Sequence, residues 1–323
     1  MAATTPPKPW RWTISAAACK SWPRPCSTLP DQISARATGY VYAIVASVGL
    51  GAAVALSRAA YDGGTDPISV ATARSVFGVA LVGAICLATG RSLKVPRRLW
   101  PHLAGLGLLV GYMFYGHIGA VEYIPVGLAA LLFFMYPPLV AVFIAILDRQ
   151  SIGFVKGLAL ATSFLGLALM LGVDLGSYDW RGVLLALAAG IFCAVNAVWI
   201  ARVMRGVDVL VMTFYMTAVG GGLLVGVAAL SGGFTMPTSS GGWLGAFAVV
   251  LFQGCSIPFF YAAIPRIGPE KTAMLNNLQP VTSIVLAYLL FAQALSPLQF
   301  LGGAMVIGGI LLMQWHETQR GLR

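Results

Sequence analysis

The sequence predicts an all-α polytopic membrane protein with ten transmembrane helices in two inverted five-helix repeats and both termini cytoplasmic. Three observations carry that prediction. The composition is too apolar for a soluble domain, charge-free runs recur at membrane-spanning length, and the second half of the chain repeats the first at a shift of 143 residues.

The 323 residues are 59% hydrophobic and 9% charged, with a mean hydropathy of +0.85. Soluble domains carry roughly 45–50% apolar and about 25% charged residues. One globular core cannot hide this much apolar surface from water, and a disordered chain cannot expose it. Cys19, Cys26, Cys86, Cys193 and Cys255 are scattered without a CxxC, and three lie inside apolar runs, so a secreted disulfide framework is excluded. The apolar runs are continuous rather than alternating, which excludes an outer-membrane barrel.

A helix needs about 20 mostly apolar residues to cross the hydrocarbon core. Charge-free runs at 37–57, 123–147 and 182–201 each fit one helix, and 103–121 is interrupted only by His117. The short run 75–90 reaches full length when extended back over Arg74 to Pro67, and 157–173 does so when extended to Gly153. The run 209–265 is cut by the Gly- and Ser-rich loop 231–242, and 272–315 is cut near 293–297. The predicted spans are 39–58, 67–89, 101–120, 125–147, 153–172, 181–201, 209–230, 241–264, 270–291 and 297–315. Residues 1–38 are basic and proline-rich, with an apolar stretch too short for a signal peptide, and are expected to be a disordered tail. Residues 316–323 form a short second tail.

With the N-terminus inside, the tails and the loops on their side hold 17 of the 20 Lys and Arg. Arg58 and Arg181 fall outside and Arg74 lies within a span, while the acidic residues split five and five. This asymmetry places both termini in the cytoplasm of a multi-pass protein of the inner membrane. The basic residues lie in separate short loops, so the net charge of +10 marks topology and not a nucleic-acid partner.

At the 143-residue shift Trp100 pairs with Trp243, Gly111 with Gly254, Ala130 with Ala273 and Pro137 with Pro280. Two residues are then lost from the first copy, so Asp148 meets Gln293 and Gly157 meets Gly302. The copies span 39–176 and 177–315 and hold five helices each. Five is odd, so the second copy enters from the opposite face. Inverted repeats of this kind are characteristic of secondary transporters, whose halves exchange roles to open one site on alternate sides.

The segments Tyr123-Ile-Pro-Val-Gly-Leu-Ala-Ala-Leu-Leu-Phe-Phe-Met-Tyr-Pro-Pro138 and Leu275-Asn-Asn-Leu-Gln-Pro280, each followed by an apolar half-helix and a polar turn, resemble the EamA-like families of the drug/metabolite transporter superfamily. The resemblance covers about residues 39–315. Family turns usually carry Gly-Glu where this chain has Leu147-Asp148 and Ala292-Gln293. The resemblance implies a carrier of amino acids, other small metabolites or amphipathic toxic compounds, mostly moved outward.

Proline removes a backbone donor and clashes with the carbonyl four residues back. Pro137 and Pro280 are therefore expected to break helices four and nine near the midplane and to free the carbonyls of Phe133 and Asn276. Paired midplane breaks point to a transport site. Tyr136 adjoins one break, and Asn276, Asn277 and Gln279 the other. Tyr112, Tyr115, Asn196, Gln253 and Tyr261 are further candidates to line a cavity, each also able to make a single interhelical hydrogen bond. Charged groups within spans are rarer. Arg74 offers a fork suited to a substrate carboxylate or to Glu122. No Asp or Glu lies deep in a span, so His117 and Glu122 are the gating or coupling candidates. The pairs Gly107/Gly111, Gly153/Gly157, Gly222/Gly226 and Ala304/Gly308 have the spacing of close helix contacts.

An intramembrane enzyme would need a convergent catalytic set, and the chain has no HExxH and no GxSxG. ATP-driven transport by this chain would need a GxxxxGK[ST] loop, also lacking. A scaffold or sensor would add a soluble domain, whereas every loop is short. The expected partners are a small-molecule substrate, the bilayer and either a proton or a counter-substrate. No cofactor or metal is expected, and both a monomer and a homodimer fit.

Overall fold

The computed structural model describes the backbone of residues 29–120, 123–124, 126–172, 179–204, 206–230, 232–291 and 296–321, and every long element among them is an α-helix. In chain order these are α1 (Leu29–Asp62), α2 (Pro67–Ala88), α3 (Trp100–Ala120), α4 (Val126–Phe133), α5 (Tyr136–Asp148), α6 (Phe154–Leu171), α7 (Trp180–Val203), α8 (Val209–Leu230), α9 (Ser240–Ile267), α10 (Pro269–Leu275), α11 (Leu278–Phe291) and α12 (Pro297–Gly321). Among the described residues nine spans are long and apolar enough to cross a membrane, counting α4–α5 and α10–α11 once each. The 21-residue α3 extends about 30 Å and supplies the tenth. Large apolar side chains such as Phe154, Leu244, Phe247 and Leu289 point outward from the bundle, as a lipid solvent requires.

Two expectations about extent are corrected. The first helix begins at Leu29, not at 39, so the expected tail is helical from Leu29 onward; residues 1–28 lie outside the described residues. The last helix runs to Gly321 instead of ending at 315. In both cases hydropathy marks where the bilayer ends, and nothing obliges the helix to stop there. Helices four and nine are each broken into two half-helices beside Pro137 and Pro280, as the prolines predict.

The repeat symmetry is visible in the packing. Exchanging the repeats maps α1 to α7, α2 to α8, α3 to α9, α4–α5 to α10–α11 and α6 to α12. The α1–α9 contact then maps onto α7–α3, α1–α11 onto α7–α5, and α2–α9 onto α8–α3, and all six occur. The α2–α8 and α6–α12 contacts map onto themselves and therefore lie on the pseudo-two-fold axis. The correspondence holds for single residues. A Cβ on Gly39 would lie 2.7 Å from the Arg266 and Ile267 side chains, and one on Gly182 would lie 2.8 Å from Tyr123 and 2.9 Å from Ile124. Each residue of the second set is 143 positions from its counterpart.

The closest helix contacts fall partly elsewhere than expected. Gly107 and Gly111 do pack, against Val219 and Gly220 of α8. Gly222, Gly226 and Gly308 have nothing within 4 Å of an added Cβ, and Gly157 barely touches Ile152. Small residues four apart permit a close contact, but the partner helix decides which face is used. A close backbone-to-backbone crossing is Gly166 against Gly302 on the axis.

Loop chemistry fastens the repeats at both faces. Asp66 caps α2, accepting from the Ser69 amide at 3.0 Å and from the Ser69 and Thr235 hydroxyls. Thr238 donates from its amide to the Gly63 carbonyl at 2.9 Å. On the other face Asp208 caps α8, accepting from the Leu210 amide at 2.9 Å, and pairs with Arg91. Partial burial pushes the Asp66 carboxyl up, but the hydroxyl and amide donors outweigh it and hold it below the ordinary 3.8. A depressed carboxylate contributes stability above its unfolded value and loses it as pH falls through the folded one. Asp66→Ala is expected to cost about 1 kcal/mol at neutral pH. The thermal midpoints of variant and wild type should converge as pH drops below 3.8.

Candidate functional site

The site is built on the two helix breaks. In the second repeat α10 ends at Leu275 and α11 starts at Leu278. An unbroken helix would send the amides of 277, 279 and 280 to the carbonyls of 273, 275 and 276. Here the Asn277 amide turns to Met274 at 3.2 Å, the Gln279 amide to Asn276 at 2.9 Å, and Pro280 has no amide proton. The Ala273 carbonyl accepts instead from Tyr136 Oη at 3.4 Å, and the Leu275 carbonyl, at 3.2 Å from Ser47 Oγ, shares that hydroxyl's one proton with the Ala43 carbonyl at 2.7 Å. The expectation that Asn276 loses its backbone donor is thus corrected. The chain tightens by one residue before the proline, and the freed carbonyls are Ala273 and Leu275. Pro137 and Pro280 themselves sit in the first turn of the half-helices that follow, where a missing amide costs nothing.

The first repeat mirrors this arrangement. The turn Phe134–Met135 separates α4 from α5, with the Phe134 amide on Ala130 at 2.8 Å and the Met135 amide on Leu132 at 3.3 Å. Gly190 of α7 stands where Ser47 of α1 stands in the other half, and a Cβ there would lie 2.9 Å from the carbonyl oxygens of Leu132 and Phe133. One helix crosses each break, carrying a hydroxyl in one repeat and no side chain in the other.

Between the breaks lies a cavity of about 270 Å³. Its floor is formed by Phe133, Tyr136, Asn276, Gln279 and Tyr261, and its wall by Phe114, Phe260 and Ile257. It extends to Ser57, Tyr61 and Pro67, where α1 ends and α2 begins, on the face opposite the described chain ends. Toward the face of the chain ends, fully buried Tyr136, Met274 and Ile264 close it. Beyond them two ion pairs tie helix ends together, Lys156 with Glu270 and Arg202 with Asp148.

Arg74 stands in the wall two turns into α2. Its Nη1 donates to Gln253 Oε1 at 2.8 Å, and its guanidinium carbon lies 4.5 Å from the Phe114 ring centroid. Its Nε is buried without an acceptor. Asn276 Nδ2 donates to Gln279 Oε1 at 3.1 Å, so the two floor amides orient each other.

The structure brings six of the expected residues around this one cavity: Arg74, Tyr136, Gln253, Tyr261, Asn276 and Gln279. Four others lie off it. Tyr112 packs edge-on to Phe192 at 4.8 Å, and Tyr115 is exposed on the outer surface. Asn196 Nδ2 donates to the Leu106 carbonyl at 3.3 Å, and Asn277 Nδ2 to Ser163 Oγ at 2.9 Å. The His117 side chain and Glu122 lie outside the described residues. Arg74 pairs with Gln253, a partner six spans further along the chain. Sequence reasoning missed Ser47 and the aromatic wall. The signal for Ser47 was present, since it falls opposite Gly190 at the repeat shift.

A model of the EamA-like transporter family matches residues 37–172 and 180–315, more than half of the chain. An "Uncharacterized transporter" of Archaeoglobus fulgidus is 27% identical over 256 residues, covering 79% of this chain and 88% of that protein. The "Uncharacterized transporter YvbV" of Bacillus subtilis is 27% identical over 252 residues, covering 75% and 80%. A solved structure titled "Crystal structure of protein" superposes with a TM-score of 0.74 at 20% identity, covering 88% of this chain and 98% of that one, which speaks to the fold alone.

Proposed function

The chain belongs to the EamA-like transporter family, and on that premise we propose that it exports amino acids or related small metabolites across the cytoplasmic membrane by alternating access. The observation that carries this reading is the cavity at the repeat interface, floored by two symmetry-related helix breaks. With both termini cytoplasmic, as the 17 of 20 basic residues favour, the cavity faces outward and the ion pairs of Lys156 and Arg202 close the inner side. Repeats that exchange conformations would open the inner side and seal the outer one. A second reading, efflux of amphipathic drugs, draws on the aromatic wall. The volume favours the first, because 270 Å³ lies below the roughly 300–1,000 Å³ of sites for drug-sized ligands.

The experiment is an export screen in a host lacking its own exporters, scoring amino acids and small metabolites in the medium and resistance to cationic dyes. Metabolite release supports the proposal; dye resistance without release turns it toward drug efflux. Gln279→Ala removes one floor amide worth about 1 kcal/mol, so the apparent affinity should weaken roughly fivefold at unchanged expression. Transport kinetics identical to wild type would remove Gln279 from the site. A phosphatase fused after Gly321 should stay inactive if that end is cytoplasmic.

A further inference from the structure

Resting on the reading of this cavity as the transport site, and narrowing its cargo from amino acids at large to metabolites of net negative charge, we infer that the solute is a small organic carboxylate with an apolar body, its carboxylate paired with Arg74. Arg74 is the one formal charge among the described residues that line the cavity, and no carboxylate stands among them. Its Nη1 meets a neutral amide oxygen, Gln253 Oε1, and its face meets Phe114. Neither contact neutralises the charge, and the Nε proton is buried with no acceptor. A charge held in a low-dielectric wall is costly unless paired. The guanidinium fork presents parallel donors that match a carboxylate. Gln253 occupies the place where a Glu would close an internal ion pair, so among the described residues nothing neutralises the charge and it faces the occupant of the cavity.

That sign separates solutes of equal size. An anion neutralises Arg74. A zwitterion brings an ammonium that meets no carboxylate among the described lining residues, and a cation adds a like charge. The apolar body then packs against Phe114, Phe133, Phe134 and Phe260, and the amides of Asn276 and Gln279 face any polar group at its far end. A volume of about 270 Å³ suits a solute little larger than an amino acid.

The test is equilibrium binding to the full chain in nanodiscs, read by calorimetry with four probes that share one benzyl group. These are N-acetylphenylalanine (anion), N-acetylphenylalaninamide (neutral), phenylalanine (zwitterion) and phenethylamine (cation). The anion should bind about tenfold or more tighter than each of the others. Arg74→Gln should erase that preference. Gln253→Glu, which keeps Arg74 and supplies an internal partner, should erase it with no loss of thermal stability, and this variant decides if Arg74→Gln does not fold. Equal or tighter binding of any other probe, binding of none, or an anion preference that survives Gln253→Glu overturns the inference. Counterflow of the same probes in proteoliposomes is measured separately. Anion binding without flux leaves the charge preference standing and overturns the transport reading; flux of the zwitterion in place of the anion does the reverse.

Discussion

Gly302→Val is expected to destabilise the protein by about 3 kcal/mol, at the upper end of ordinary overpacking. A Cβ on Gly302 would lie 2.4 Å from the Gly166 carbonyl oxygen, 2.6 Å from the Met170 amide nitrogen and 2.9 Å from Met170 Cβ. Two of these atoms are backbone and cannot swing aside. The contact is reciprocal, since a Cβ on Gly166 would meet the Gly302 carbonyl at 2.6 Å, and Gly309 repeats it against Ala159 at 2.7 Å. In a membrane no hydrophobic driving force holds helices together, so close van der Waals approach supplies much of the attraction. Prising α6 from α12 loosens the crossing on the pseudo-two-fold axis, which both repeats share. The thermal midpoint read by size-exclusion chromatography should fall steeply. Gly226→Val, with nothing within 4 Å of the added carbon, should stay within about 0.5 kcal/mol of wild type. Equal midpoints for wild type and Gly302→Val would mean that α6 and α12 do not cross this closely.

The helix count and the duplication were legible in the sequence because the bilayer imposes both. Each span needs a long apolar run, and a five-helix unit copied once must invert. The breaks were legible because proline has no amide proton. What each break does to its neighbours was not. Asn276 and Asn277 are adjacent and chemically identical, yet one faces the cavity and the other turns to Ser163 on α6. The turn between the half-helices sets those directions, and the sequence specifies that a turn exists without specifying its twist. Asn196 resembles a cavity residue by its position near the middle of a span, but the Leu106 carbonyl on α3 claims it. Pairings such as Arg74 with Gln253 bring together residues 179 apart. They follow from the α2–α9 contact, which no local pattern encodes.

Replacing either proline by alanine is expected to slow transport by about tenfold or more at unchanged expression, with Pro137→Ala the more damaging. Proline in a helix interior costs about 3 kcal/mol, so its removal makes a continuous helix that much more accessible. Each 1.4 kcal/mol is a factor of about ten in the population of the alternative. The two breaks resist differently. Straightening α10 onto α11 would send the Asn277 amide to Ala273 and the Gln279 amide to Leu275, displacing the hydroxyls of Tyr136 and Ser47 that now hold those carbonyls. Those contacts oppose the change even without Pro280. In the first repeat Gly190 stands in place of Ser47 and brings no hydroxyl, so the α4–α5 break depends more on Pro137 itself. Hydrogen exchange of the amides following each break reports straightening directly, and counterflow reports its cost. If Pro137→Ala straightens the helix and flux survives, the break is a packing feature and the mobile element of the carrier lies elsewhere. If flux falls further in Pro137→Ala than in Pro280→Ala, the asymmetry between Ser47 and Gly190 sets which half of the inverted pair is free to move.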